Sequence, residues 1–137
     1  MFRLPKLLFL LVIVLALGAC MNQHASTNAD TTKSAKITEN KVIGVYTGDL
    51  PCTDCEAIAT VLTLTADEGY TLEYVYVGKS PEAFSKIGSW KLKDEELNLS
   101  GLDYKFKVEN KQLRQLDLSG KEIKGELADQ YILKLLN

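Results

Sequence analysis

Tyr-Thr-Leu-Glu-Tyr-Val-Tyr-Val, at residues 70–77, is the stretch of this 137-residue chain that most directly decides its fold. Its even positions carry Tyr70, Leu72, Tyr74 and Tyr76, so an extended backbone would place all four on one face. Such a period of two is typical of an antiparallel strand with one buried face. The stretch therefore predicts a β-strand whose even positions face a core.

Short runs of the same kind recur along the chain between clusters of turn residues. The predicted strands cover residues 42–47, 60–65, 70–77, 88–93, 96–100, 104–109, 113–118, 122–126 and 131–136. Eight or nine short strands at this spacing indicate a sandwich or a barrel. We expect an all-β fold, a small antiparallel up-and-down barrel of the lipocalin-like type, because closure removes the edge strands. The predicted core is Leu62, Leu64, Leu72, Tyr74, Trp90, Leu97, Phe106 and Leu133.

One or two short helical turns are expected beside the strands. Ser80 and Pro81 suit the N-cap and first position of a helical turn over residues 80–86. A second single turn could occupy residues 56–59.

The N-terminus predicts export and a lipid anchor. Two basic residues precede an unbroken apolar run at residues 7–17, which is the pattern of a secretory signal. The run is shorter than the roughly 20 residues that a spanning helix needs. Gly18 and Ala19 lead directly into Cys20, so residues 17–20 read as a lipobox with Cys20 as the lipidated residue. Residues 1–19 are thus the expected signal peptide.

Residues 20–40 are expected to form a flexible tether between the lipidated cysteine and a folded domain at residues 41–137. The tether has almost no large apolar side chain and so cannot bury a core. Met21 follows Cys20 where an aspartate would favour inner-membrane retention, so we expect attachment to the outer membrane.

Charge excludes one class of partner. Without Arg3 and Lys6, the 16 basic residues become 14 against 18 acidic ones, a net charge of −4. No cluster of Lys or Arg is present to bind a phosphate backbone, so nucleic acid is not an expected partner.

Cys52 and Cys55 form a CxxC pair in which any chemistry would lie. The pair can close a disulfide, exchange disulfides, or bind a soft metal such as copper(I), which accepts thiolates. Zinc would need more ligands than the sequence offers. Catalytic exchange normally needs a helix N-terminus in a βαβ unit after the motif, whereas at most one helical turn and then a strand are predicted there. With a single histidine, His24, in the tether, no Ser/His/Asp set can form, so we do not expect an enzyme.

The residues around the pair resemble a known family. Tyr-Thr-Gly-Asp-Leu-Pro-Cys-Thr-Asp-Cys at residues 46–55, Gly-Ser-Trp at 88–90 and Tyr-Ile-Leu at 131–133 are similar to the NlpE N-terminal-domain family of bacterial envelope lipoproteins. The resemblance covers nearly all of residues 42–136. It departs at Ala57, where the family usually has glycine.

The resemblance implies a lipocalin-like barrel, attachment to the outer membrane, and roles in copper tolerance and in envelope-stress or adhesion sensing. It implies an envelope-stress sensor kinase as partner, and Cys52 and Cys55 as the redox or copper pair. Longer members have a second domain, whereas this chain ends directly after the last predicted strand, so a single domain is expected. The alternative is a lipocalin-like periplasmic module that binds a small apolar ligand, with the Tyr70/Tyr74/Tyr76 face lining its cavity.

Overall fold

The fold is a closed antiparallel barrel in a computed structural model that describes residues 39–137. Its strands are β1 (Gly44–Leu50), β2 (Ala57–Leu64), β3 (Gly69–Val77), β4 (Ala83–Lys93), β5 (Glu96–Leu99), β6 (Lys105–Glu109), β7 (Gln112–Gln115) and β8 (Ile132–Leu135). Each strand pairs with the next, and β8 pairs with β1 to close the barrel. The all-β, up-and-down architecture predicted from the sequence is confirmed.

Alternation of side chains builds the core as expected. β2 and β3 pair Leu62 with Leu72 and Leu64 with Tyr70, and all four side chains are buried inside the barrel. Seven of the eight predicted core residues are buried, and Tyr74 is half-buried and packs against them. Tyr46, which was not in the predicted core, is among the largest fully buried side chains, and its hydroxyl donates to the Val42 carbonyl at 3.0 Å.

The predicted strand at residues 122–126 is wrong. The segment makes one isolated bridge, from Glu122 to Leu116, and no ladder. Four of its five residues are exposed, so it lacks the row of buried apolar side chains that would stabilise an extended strand pairing. Gly125 also has φ +113°, a conformation that interrupts a regular strand.

Both predicted helical turns are wrong as well. Ser80 Oγ does accept a hydrogen bond from the Glu82 amide at 3.1 Å, which is the local part of a cap. The chain then enters β4 at Ala83, because Phe84 lies opposite Tyr74 and stacks on it with ring centroids 5.4 Å apart. Residues 57–59 belong to β2 instead of a helical turn. The short 3₁₀ turns of the described residues are Glu39–Lys41 and Ala128–Gln130.

The strands of the barrel differ in length. β1 to β4 have seven to eleven residues, whereas β5 to β8 have four or five. β4 serves both groups, since its first seven residues pair with β3 and its last four pair with β5. Within residues 39–137, no helix has the length and apolar character needed to cross a bilayer.

Candidate functional site at the Cys52–Cys55 loop

Cys52 and Cys55 lie in the loop at residues 51–56, between the end of β1 and the start of β2. They are joined by a disulfide with a Cα–Cα distance of 5.4 Å, within the usual range of about 4.4–6.8 Å. Both cysteines are half-buried, and Thr53 and Asp54 between them are exposed. The structure therefore presents the oxidised pair on the rim of the barrel.

The turn after β3 holds this loop in place. The Glu56 amide donates to the Val77 carbonyl at 3.0 Å, which extends the pairing of β2 with β3 toward the cysteines. Lys79 forms an ion pair with the Asp54 carboxylate, and its ammonium lies 5.9 Å from the centre of the Tyr76 ring. The hydrogen bond from Lys79 lowers the pKa of Asp54 below its ordinary value. Sequence reasoning missed Lys79, whose partner lies 25 residues away.

Each sulfur has a hydrogen-bond acceptor beside it. Cys52 Sγ lies 3.6 Å from Asp54 Oδ1, and Cys55 Sγ lies 3.3 Å from the Ala57 carbonyl oxygen. In a reduced pair these oxygens would accept thiol hydrogens, which favours the neutral thiol over the thiolate. The motif also runs into a strand and lacks the following helix that activates catalytic CxxC thiols. The surroundings thus favour a stable disulfide over rapid catalytic exchange.

The reduced loop would offer a metal three donor groups. Ligand atoms of Cys52, Asp54 and Cys55 all lie within 4.8 Å of one another. Two thiolates at this separation suit a copper(I) ion, which prefers sulfur ligands, and the Asp54 carboxylate is a harder oxygen donor beside them. The disulfide must be reduced first, because the thiolate is the metal ligand.

A small apolar pocket adjoins the loop at the same end of the barrel. Its lining combines apolar and aromatic side chains with a few polar groups: Leu50, Pro51, Ile58, Thr60, Leu72, Tyr74, Tyr104, Phe106, Gln115 and Tyr131. The cavity has a volume of about 70 Å³. Outside it, Tyr76 packs edge-on against Tyr74 and Phe84 at centroid distances of 5.6 Å. Of the predicted Tyr70/Tyr74/Tyr76 face, Tyr74 lines the cavity, whereas Tyr70 is packed in the core.

Burial raises the pKa of Tyr104, and the nearby Tyr76 adds to the shift. Sequence reasoning assigned Tyr104 to a strand and missed its place at the pocket, because that place depends on the fold bringing the residue before β6 beside Tyr74 of β3.

The predicted lipidation residue, Cys20, lies outside the residues that the structure describes.

The chain matches a family model and several known proteins. Residues 46–126 match the model described as the NlpE N-terminal domain. The chain is 29% identical over 119 residues to lipoprotein NlpE of Escherichia coli, covering 82% of this chain and 50% of that protein. It thus spans about half the length of that relative.

Two crystal structures share the fold. A Shewanella oneidensis protein described as a lipoprotein has a TM-score of 0.64 and 41% identity, over 68% of this chain and 87% of the other. The Escherichia coli Cpx pathway activator NlpE has a TM-score of 0.53 and 28% identity, over 61% and 46%. Because the family model matches more than half of its residues, the chain belongs to the NlpE N-terminal domain family.

Proposed function

We propose that this protein is a non-enzymatic envelope lipoprotein that contributes to stress sensing and copper tolerance through the Cys52–Cys55 loop. The observation that carries the proposal is the disulfide on the barrel rim, with Asp54 as a third donor beside it. Its oxidised and reduced states differ in covalent structure and in the ability to bind a soft cation. A partner that contacts the rim can therefore distinguish the two states.

The relatives support the same role. The Escherichia coli structure is named as an activator of the Cpx pathway. By analogy, this chain would signal to the sensor kinase of an envelope-stress pathway. The Glu56 amide and Lys79 also connect the loop to the end of β3 and to the turn after it, so a local change at the disulfide can reach those residues.

The proposed address is the outer membrane. Residues 1–19 would be removed as a signal peptide, Cys20 would carry the lipid, and residues 20–40 would tether the domain that begins at residue 41. Two or more acyl chains hold a protein firmly, whereas one holds it marginally. Cys20→Ser should release the protein from membranes or leave uncleaved precursor. Unchanged membrane fractionation of this variant, with no loss of lipid mass, contradicts the proposed anchor.

The functional test is complementation of a deletion strain. Wild type, Cys52→Ser/Cys55→Ser and Cys20→Ser are compared for copper sensitivity and for output of an envelope-stress reporter. We expect the double variant to accumulate in the membrane fraction at the wild-type level while copper tolerance or reporter output falls. A double variant that matches wild type in both assays overturns the proposal.

Thr53→Ser is the matched control, since it changes an exposed side chain between the cysteines and leaves both sulfurs and Asp54 unchanged. It should complement like wild type. Loss of function in this variant as well would mean that the loop surface, not the sulfur pair, is what the assay detects.

A carrier of small apolar ligands is the second candidate, and the pocket beside Pro51 is the observation in its favour. Its volume of about 70 Å³ is well below the roughly 300–1,000 Å³ of typical ligand pockets. Large side chains of Tyr46, Trp90 and Phe106 occupy the barrel interior. The pocket suits one small apolar group. Native mass spectrometry of the purified protein would identify a carrier by a co-purifying lipid.

A further inference from the structure

One side of the first half of β4 has no neighbouring strand. β3 pairs with residues 83–89 of β4, and β5 pairs with residues 90–93. Among residues 39–137, no strand lies on the β5 side of residues 83–88. The chain after β5 turns away to β6 at this point, because its contact with β4 ends at Ser100.

Hydrogen bonds at the end of this segment identify which backbone groups are uncovered. The Ser89 carbonyl accepts from the Ser100 amide at 2.8 Å, and the Ser89 amide donates to Ser100 Oγ at 3.0 Å, so both point toward β5. The Trp90 amide points the other way and donates to the Glu68 carbonyl at 2.7 Å. Because direction alternates along a strand, Ala83, Ser85 and Ile87 point their amides and carbonyls to the uncovered side.

We call the outward side of Ala83, Ser85 and Ile87 the free edge. All three residues are exposed, and Ile87, at 80%, is the most exposed large apolar side chain of residues 39–137. A strand edge of this kind is a template for pairing with another strand. Lys86 is exposed too, although its strand partner Leu72 is buried, so the barrel wall is open beside it.

We propose that the free edge pairs antiparallel with the free edge of a second copy of this chain, with Ser85 facing Ser85 across a two-fold axis. Ala83 of each copy then faces Ile87 of the other. Each of these three facing pairs exchanges two backbone hydrogen bonds, so all six uncovered amides and carbonyls are satisfied. A two-fold contact uses both edges and closes the assembly.

The side chains select this register over its neighbours. Moving the pairing one step in one direction places Lys86 opposite Lys86, and like charges directly opposite are destabilising. Moving it one step in the other direction places Ile87 opposite Pro81, which has no backbone amide to donate. In the proposed register Lys86 faces Phe84 instead, which allows a cation to approach an aromatic ring. The same lysine that discourages other pairings is therefore compatible with this one.

A cysteine at position 85 tests the geometry in the full chain in its own envelope. Residues of a hydrogen-bonded antiparallel pair have Cα atoms about 5.5 Å apart, which a disulfide spans readily. Ser85→Cys should shift the protein from monomer to dimer mass on a non-reducing gel, and mass spectrometry should find two peptides joined at position 85. Lys86→Cys and Glu73→Cys, the latter on the exposed face of β3, should stay monomeric.

Three results overturn the proposal: no covalent dimer of Ser85→Cys, equal dimer in all three variants, or a link to another protein in place of a second copy. Peptide mapping also separates the intended link from exchange with Cys52 or Cys55.

Introducing a charge at position 85 gives an independent test, in which sedimentation of the purified full chain in detergent measures its oligomeric state. Ser85→Lys and Ser85→Glu each place like charges face to face and should shift the sedimenting species from dimer to monomer. Mixing the two should restore a dimer, and Ser85→Thr should remain dimeric. Wild type that sediments as a monomer overturns the proposal. None of these substitutions alters the Cys52–Cys55 loop, so the stress and copper assays can succeed or fail separately.

Discussion

Replacing both cysteines of the rim loop separates what the disulfide does for the fold from what it does for function. The bridge closes a loop of four residues, from Cys52 to Cys55. In the chain-entropy description, so short a loop stabilises the folded state by about 2 kcal/mol. The barrel core does not include either sulfur, and the Glu56 amide and Lys79 still hold the loop. Cys52→Ser/Cys55→Ser should therefore fold with a modest loss of stability.

For a domain of this size, 1 kcal/mol corresponds to about 4–8 °C in Tm, so the loss should be about 10 °C. Thermal unfolding followed by circular dichroism measures it, with and without reductant. Reductant should lower the Tm of wild type by the same amount and leave the double variant unchanged. A double variant that is unfolded at 25 °C would refute the reasoning and make the bridge a structural requirement. A wild type whose Tm does not change with reductant would also refute the reasoning, because the bridge would then add nothing to stability.

Three further outcomes follow from individual side chains. Lys79→Ala should raise the pKa of Asp54, because the hydrogen bond from Lys79 lowers it, and an NMR titration of Asp54 measures this change. The stability that the pair adds is present above pH about 4 and is lost as pH falls through the pKa of Asp54 in the folded protein. Burial raises the pKa of Tyr46, so stability should decline as pH rises above about 10, and Tyr46→Phe should decline less in melts across pH 9–12. Because Trp90 is only 1% exposed, Trp90→Ala should lower the free energy of unfolding by about 3–5 kcal/mol, measured by denaturant titration. Trp90→Phe should lower it clearly less.

Alternation made most of the barrel predictable from sequence. Where one face of a strand is more buried than the other, as in β3, the alternation of apolar and polar residues predicts which side chains are buried. The same reasoning failed at residues 122–126, where charged residues alternate with isoleucine and glycine without a buried face. The helical turn predicted at residues 80–86 from a good local cap does not form either, because a tertiary contact, the stacking of Phe84 on Tyr74, favours the strand.

The candidate site was predictable only in its covalent part. Cys52 and Cys55 are three positions apart, so their proximity needs no knowledge of the fold. Lys79 reaches Asp54 because β2 and β3 pair in one register, which brings the two ends of that hairpin together. A lysine after a glycine is an ordinary turn residue in sequence. Its role becomes visible once the strand register is known.

The unequal strand lengths account for the free edge of β4 that we propose as a dimer contact. β1 to β4 extend beyond β5 to β8, at about 3.3 Å for each additional residue. The β1–β2 loop with its disulfide lies at the end of the barrel where β1 and β3 end and β2 and β4 begin. Along the same extension, β5 is too short to cover the first half of β4, which leaves the free edge. Lengthening β5 by inserting residues that alternate inward and outward after Leu99 should therefore cover Ser85 and Ile87, and prevent the proposed pairing, without altering the cysteine loop.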